Sequence, residues 1–302
     1  SFTAYRTFSG PDGKKREVVA YVSVDQELAA PILERFSLRT GIRVLPVYDS
    51  EATKTAGLAM RILAERARPR ADLFWASEPT RMARLAREGA LAPYDSPEAE
   101  GLPAWARRPL WTAFSSRARV ILVHKGEPFP LPTCLEDLAA PHWKNRVVIA
   151  DPRFGTTSAQ AAVLGEGGLE LARKLRANGI RVCAGNAMVR ERVERGEMAA
   201  GLTDSDDAQS ALDRGMPVEV VRPKDALLIP HAVGLVAGGP HPEAGKLLLD
   251  FLVSAEVEKI LEAPPARQAP LRGTSDRNAP DWDSLGATVE SAAQAFYEAL
   301  RP

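Results

Sequence analysis

Three aspartates, Asp204, Asp206 and Asp207, crowd one four-residue stretch. Carboxylates that close repel one another unless a cation, hydrogen-bond donors or water offset the charge. Such a cluster suits oxygen ligation of a hard cation or counter-charge for an ammonium group. Its plainer role is a solvated helix start, where Asp is favoured by capping and by the helix dipole. A second stretch, Gly155, Thr156, Thr157 and Ser158, follows Asp151 and Pro152 and precedes an apolar helix. Hydroxyls and backbone N–H groups would converge there at a helix N-terminus, which suits an anion. Ser and Thr are also ordinary N-caps. An acidic half and an anion-binding half together allow two ligand chemistries. One is a metal ion with an oxyanion; the other is a zwitterion such as an amino acid or aminophosphonate.

These residues need elements to hold them. Val18 to Val22 has strand length, and Leu28, Ile32 and Phe36 recur every four residues on one helical face before Gly41. Ile42 to Tyr48 reads as the next strand. The grammar repeats: helix Ala52 to Ala67, strand Asp72 to Trp75 and helix Pro79 to Glu88 before Gly89. Later come helix Leu169 to Ala177, strand Ile180 to Cys183, helix Ala187 to Arg195 and strand Met198 to Thr203. Such alternation predicts parallel sheets covered on both faces. Ser115 to His124 and Ile229 to Ala237 stand apart as long crossing strands, followed by helices His241 to Val253 and Ser291 to Leu300. Two crossings and a late return predict two discontinuous lobes, 1–117 with 232–270 and 118–231 with 271–302, with a ligand cleft between them. Ligands of open α/β sheets bind beyond the carboxyl ends of strands. That rule selects Ser23 to Asp25, Ser77 to Glu78, Gly155 to Ser158 and Thr203 to Asp207, so Asp25 and Glu78 join the aspartate cluster as candidate cation donors.

Composition removes other classes. Lys plus Arg and Asp plus Glu both number 39 in 302 residues. No cationic surplus exists for nucleic acid or an anionic membrane surface. Apolar runs such as Val120 to Val123 fall far short of the roughly 20 residues a bilayer span needs. The chain opens on Ser1, so an upstream export segment is expected to precede it. Cys134 and Cys183 lack metal-type spacing and read as two buried thiols, or as one bridge in an oxidising compartment. Gly239 to Lys246 has the wrong glycine spacing for a phosphate loop, and Leu247 stands where Ser or Thr is required. No GxSxG or HExxH occurs. The four histidines are scattered, and no activated nucleophile is evident, so the chain is expected not to be an enzyme.

Several segments resemble one family: VAYVSVDQE (19–27), ADLFWASEPTRMARLAREGALAPY (71–94), RARVILVH (117–124), NAMVRERVERGEMAAGLTDSDD (186–207) and the stretch from Ile229 to Phe251 with PHPEAGKLLLDFL (240–252). In sequence and order they are similar to the periplasmic ferric-ion-binding proteins. The resemblance implies an α/β, two-lobed type II periplasmic binding fold, each lobe a mostly parallel sheet flanked by helices, joined by two hinge strands. It also implies a monomer outside the cytoplasm that delivers a small ligand to the membrane permease of an ABC importer. Where that family carries His, Glu and two consecutive tyrosines, this chain has Asp25, Glu78, Asp206 and Asp207. The resemblance makes these four the candidate metal donors, with Fe3+ as the candidate ion. It assigns the accompanying anion to Thr156, Thr157 and Ser158, with Asn186 nearby and Arg117 and Arg267 bordering the cleft. Only Glu78 keeps the family's residue, so the metal and the zwitterion both stay open. Competing classes are an enzyme on the same fold and a sensor without a transporter.

Overall fold

The computed structural model describes residues 16–49, 56–224, 226–274 and 279–301. The first residues of the helix expected from Ala52 lie outside them. The chain divides into two compact units. Unit 1 comprises Ser1–Ser115, His231–Ile260 and Pro270–Ala279; unit 2 comprises Ser116–Pro230, Leu261–Ala269 and Pro280–Pro302.

Unit 1 begins with β1 (Glu17–Val22), α1 (Gln26–Thr40), β2 (Arg43–Tyr48), α2 (Ala56–Ala64), β3 (Leu73–Ala76) and α3 (Pro79–Arg87). Helix α1 buries Ala29, Ile32, Leu33 and Phe36, the face that the four-residue spacing predicts. It ends because Gly41 takes φ 70° and donates its N–H to the Ser37 carbonyl, closing the last turn. Strands β2, β1 and β3 run parallel, in that order. Every residue of β3 is buried, as in a strand covered on both faces. Two short strands follow, β4 (Leu91–Ala92) and β5 (Arg107–Arg108), before the long β6 (Trp111–His124) passes into unit 2.

Unit 2 continues with β7 (Val147–Ala150), α4 (Gly155–Ala177), β8 (Arg181–Cys183), α5 (Asn186–Glu194), β9 (Ala200–Asp204), α6 (Ser205–Asp213) and β10 (Val218–Val221). Strand β7 pairs in parallel with β8 and β9. Side chains alternate along these strands between two cores. Ile121, Val123, Val147 and Ile149 join Leu171, Leu175, Phe296 and Leu300 on one face. Val120, Leu122, Val148 and Ala150 join Val189, Val193 and Ala208 on the other. The second core is tight at Gly201, where a Cβ would stand 2.5 Å from Val189 Cγ1. Helix α4 turns sharply at Gly165 (φ 55°, ψ −140°), a conformation that favours glycine. Strand β11 (Leu228–Val236) then returns the chain to unit 1, where α7 (Pro242–Leu252) buries Leu248, Leu249, Phe251 and Leu252. Helix α8 (Ala255–Glu262) follows, and α9 (Trp282–Leu300) packs on α4 in unit 2.

The sheets are not wholly parallel. Strand β11 is antiparallel to β3 and β4, and β6 is antiparallel to β5, β9 and β10. Parallel neighbours need a crossover, whereas β6 and β11 serve as long connections between units and enter each sheet without one. Strand β7 and helix α8 have no counterpart in the sequence reading. Cys134 and Cys183 are both thiols, and only Cys183 is buried, Cys134 being partly exposed.

Candidate functional site

Strands β7, β8 and β9 are parallel, so the helices that follow them begin at the same end of the unit 2 sheet. The loops are short: α6 starts at the residue after β9, and α5 starts at Asn186, three residues after β8 ends. Three helix N-termini therefore converge, with their unshared N–H groups and dipole ends.

Asp204 lies at the centre of this convergence. It occupies the N-cap position of α6, yet its side chain caps nothing. Instead Arg119 Nη1 donates to its Oδ1 at 2.7 Å. Its Oδ2 accepts from the Thr156 hydroxyl at 2.7 Å, from Asn186 Nδ2 at 2.9 Å and from Arg117 Nε at 3.4 Å. Burial alone would raise the pKa of this carboxyl. The Arg119 and Arg117 guanidiniums, with the donated hydrogen bonds, outweigh burial and hold it below the usual carboxylate range. A buried charge is tolerable only when paired and fully hydrogen-bonded, and here both oxygens are engaged.

Arg119 spans the whole group. Besides Asp204 it donates to Gln160 Oε1 (3.0 Å), Thr156 Oγ1 (3.3 Å), Asn186 Oδ1 (3.2 Å) and Thr157 Oγ1 (3.3 Å). Asp206 accepts from Gln268 Nε2 at 3.1 Å and lies 3.9 Å from Arg117. Asp207 accepts from Arg190 and from the Thr203 hydroxyl, each at 3.3 Å. Carboxylate oxygens of Asp204, Asp206 and Asp207 lie within 4.8 Å of one another, a spacing one cation could bridge.

The structure thus brings together Arg117, Thr156, Thr157, Asn186, Asp204, Asp206 and Asp207. Ser158 is fully buried and its hydroxyl turns back to the Gly155 carbonyl at 3.0 Å. Arg267 pairs at 3.5 Å with Asp213, in the last turn of α6, at the far end of that helix from the aspartates.

Ser23, Asp25, Ser77 and Glu78 belong to unit 1, after the parallel neighbours β1 and β3. Ser23 is buried and donates to Asp49 at 3.4 Å. Asp25 is exposed at the start of α1, where its carbonyl accepts from Leu28 and Ala29. Glu78 is wholly buried and caps α3, accepting from the N–H groups of Thr80 (2.6 Å) and Arg81 (3.3 Å) and from the Thr80 hydroxyl. Burial pushes its carboxyl above the usual range, against the opposing pull of Arg81 and these donors.

Arg119, Gln160, Arg190 and Gln268 escaped the sequence reading. A signal existed for Arg119: it lies two residues after Arg117 and shares a strand face with Ile121 and Val123, where an isolated surface charge has no place. Gln160 lies four residues beyond Thr156, one helical turn along the same face.

Comparison with known proteins agrees with this architecture. The family model of bacterial extracellular solute-binding proteins matches residues 18–263. The chain is 28% identical to iron uptake protein A1 of Synechocystis sp., covering 95% of this chain and 88% of that protein. It is 26% identical to a putative 2-aminoethylphosphonate-binding periplasmic protein of Salmonella typhi, covering 74% and 68%. The ferric binding protein from Campylobacter jejuni superposes with a TM-score of 0.82 at 18% identity, over 93% of this chain and 99% of that one. The fold is that of the type II periplasmic binding proteins, and the chain belongs to the family of bacterial extracellular solute-binding proteins.

Proposed function

We propose that this solute-binding component of an ABC import system carries a ferric or other hard metal ion together with an accompanying oxyanion. The observation that carries the reading is the pair of partly exposed carboxylates Asp206 and Asp207, whose oxygens lie within 4.8 Å of each other and of Asp204 at the start of α6. Hard cations take oxygen ligands, and Asp206 and Asp207 retain side-chain exposures of 21% and 19%, against 5% for Asp204. Asp206 and Asp207 are therefore the metal donors of unit 2. The N–H groups of the first turn of α4, with Thr157, take the oxyanion. The likeness to an iron uptake protein over 95% of the chain supports this assignment. The protein acts as a periplasmic carrier that docks on a membrane permease. Its relatives are binding proteins, and it performs no catalysis.

Charge balance favours a second reading. Arg117, Arg119, Arg190 and Arg214 stand against Asp204, Asp206, Asp207 and Glu194, four charges of each sign. A zwitterion leaves such a site neutral, and a similar protein is described as binding 2-aminoethylphosphonate. Native mass spectrometry of freshly purified protein, before and after chelation and with elemental analysis, decides between them. The metal reading expects a bound mass that contains iron and leaves with the chelator. A metal-free organic mass that survives chelation would overturn it in favour of the zwitterion.

A further inference from the structure

We infer that Arg119 is a positioning residue for the anionic part of the solute. The inference rests on the reading that the N-terminal turn of α4 receives that part. With a side-chain exposure of 1%, Arg119 does not itself reach a solute. Its guanidinium instead holds residues from two helix starts and one strand end: Thr156, Thr157 and Gln160 on α4, Asn186 on α5 and Asp204 on β9.

Two consequences follow from this geometry. The rotamers of Thr156, Thr157 and Asn186 are fixed before any solute arrives, which lowers the ordering cost of binding. Asp204, whose charge would otherwise repel an anion a few ångströms away, is neutralised from the core side. Stability alone does not call for this arrangement, because well-packed apolar residues replace buried ion pairs at little or no cost. Lysine cannot reproduce it either, since a single ammonium lacks the planar fork that reaches five partners.

The test is calorimetric titration of the full chain with inorganic phosphate, ferric citrate and 2-aminoethylphosphonate, each of which carries an anionic group. The forms compared are wild type, Arg119→Lys and the charge-conserving double variant Arg119→Gln with Asp204→Asn, with thermal melting of each alongside. For every probe that wild type binds, the double variant is expected to lose about tenfold or more in affinity, the size of a lost hydrogen bond to a charged group. Arg119→Lys keeps the charge but not the planar fork, so it is expected to recover part of that loss and to melt lower, with affinity falling further than the loss of folded protein accounts for; a merely structural role would move affinity only as far as melting moves. Should the double variant fail to fold, Arg119→Lys decides the matter. Affinity reduced beyond the change in folded fraction supports the inference, and affinity that is unchanged or follows melting alone overturns it. Wild-type affinity in a folded double variant also overturns it while leaving the anion site standing. A wild type that binds none of the three probes overturns the anion-site reading, and the inference falls with it.

Discussion

Removing the Asp204 carboxylate is the most incisive perturbation of unit 2. In Asp204→Ala the guanidinium of Arg119 loses its 2.7 Å partner and Arg117 its 3.4 Å partner, and both arginine side chains are at least nine-tenths buried. Thr156 and Asn186 also lose their common acceptor. Breaking one side of a buried pair costs about 3–5 kcal/mol, mostly the penalty of the charge left behind. That is a large share of the roughly 5–15 kcal/mol that holds a typical domain together. Replacing both partners by apolar residues, Arg119→Met with Asp204→Leu, should recover the share of the loss that comes from the Arg119 charge, while Arg117 keeps Asp206 at 3.9 Å. Hydrogen exchange of unit 2 peptides under increasing urea measures the change in the unit that carries the substitution, free of assumptions about how unit 1 unfolds. If Asp204→Ala costs less than about 1 kcal/mol, the value of an exposed pair, the buried-network account is refuted.

Gly201→Ala should cost about 1–3 kcal/mol by overpacking, since its Cβ would meet Val189 at 2.5 Å and Val193 at 3.1 Å; urea denaturation checks this, and adding Val189→Ala should relieve it. Tyr21 and Tyr94 are each pushed up to about 12, first by burial and then by hydrogen bonds to Glu65 and Asp250. The folded state favours the neutral phenols, so their contribution is complete below the ordinary value near 10 and is lost as pH rises through 12; absorbance titration near 295 nm should show a late-ionising component that shrinks when Tyr21 or Tyr94 is replaced by Phe. Asp206→Asn should weaken ferric binding about tenfold or more, at least what second-shell substitutions cost metal sites, as read by competition with a chelator. A fragment ending at Ser115 should not fold cooperatively, because β11, which pairs with β3, and the apolar face of α7 come from the later part of the chain; circular dichroism during urea titration would show no sigmoidal transition.

Much of the fold was legible because its local rules are strong. Gly41 and Gly89, which the sequence marks as helix stops, and Gly179 and Gly196, which follow α4 and α5, all take positive φ (70°, 68°, 75° and 69°), a conformation that costs other residues strain. The apolar face of α1 follows from side chains recurring every helical turn. Strand β7 escaped because four consecutive apolar residues, Val147 to Ala150, carry no periodicity. The full length of α4 escaped because Gly165 interrupts the pattern near its middle. The antiparallel setting of β6 and β11 depends on neighbours distant in sequence, which no local pattern encodes.

The site was half legible for a different reason. Residue type and strand-end position picked out Thr156, Thr157, Asp204, Asp206 and Asp207, but read the aspartates as one repulsive cluster. The structure divides them. Asp204 is turned inward onto two arginines, a threonine hydroxyl and an asparagine amide, while three helix N-termini add a positive field around it. Its charge is met within the fold, so it creates no demand for an external cation. The groups that retain exposure are Asp206 and Asp207, held by Gln268, Arg190 and Thr203 through contacts of 3.1–3.3 Å. Contacts that long to partly exposed groups are weaker than those around Asp204 and can be exchanged for a ligand at lower cost. On the proposed function, selectivity for the positive part of a solute therefore rests on Asp206 and Asp207, and Asp204 belongs with Arg119 to the frame proposed to hold the anionic part.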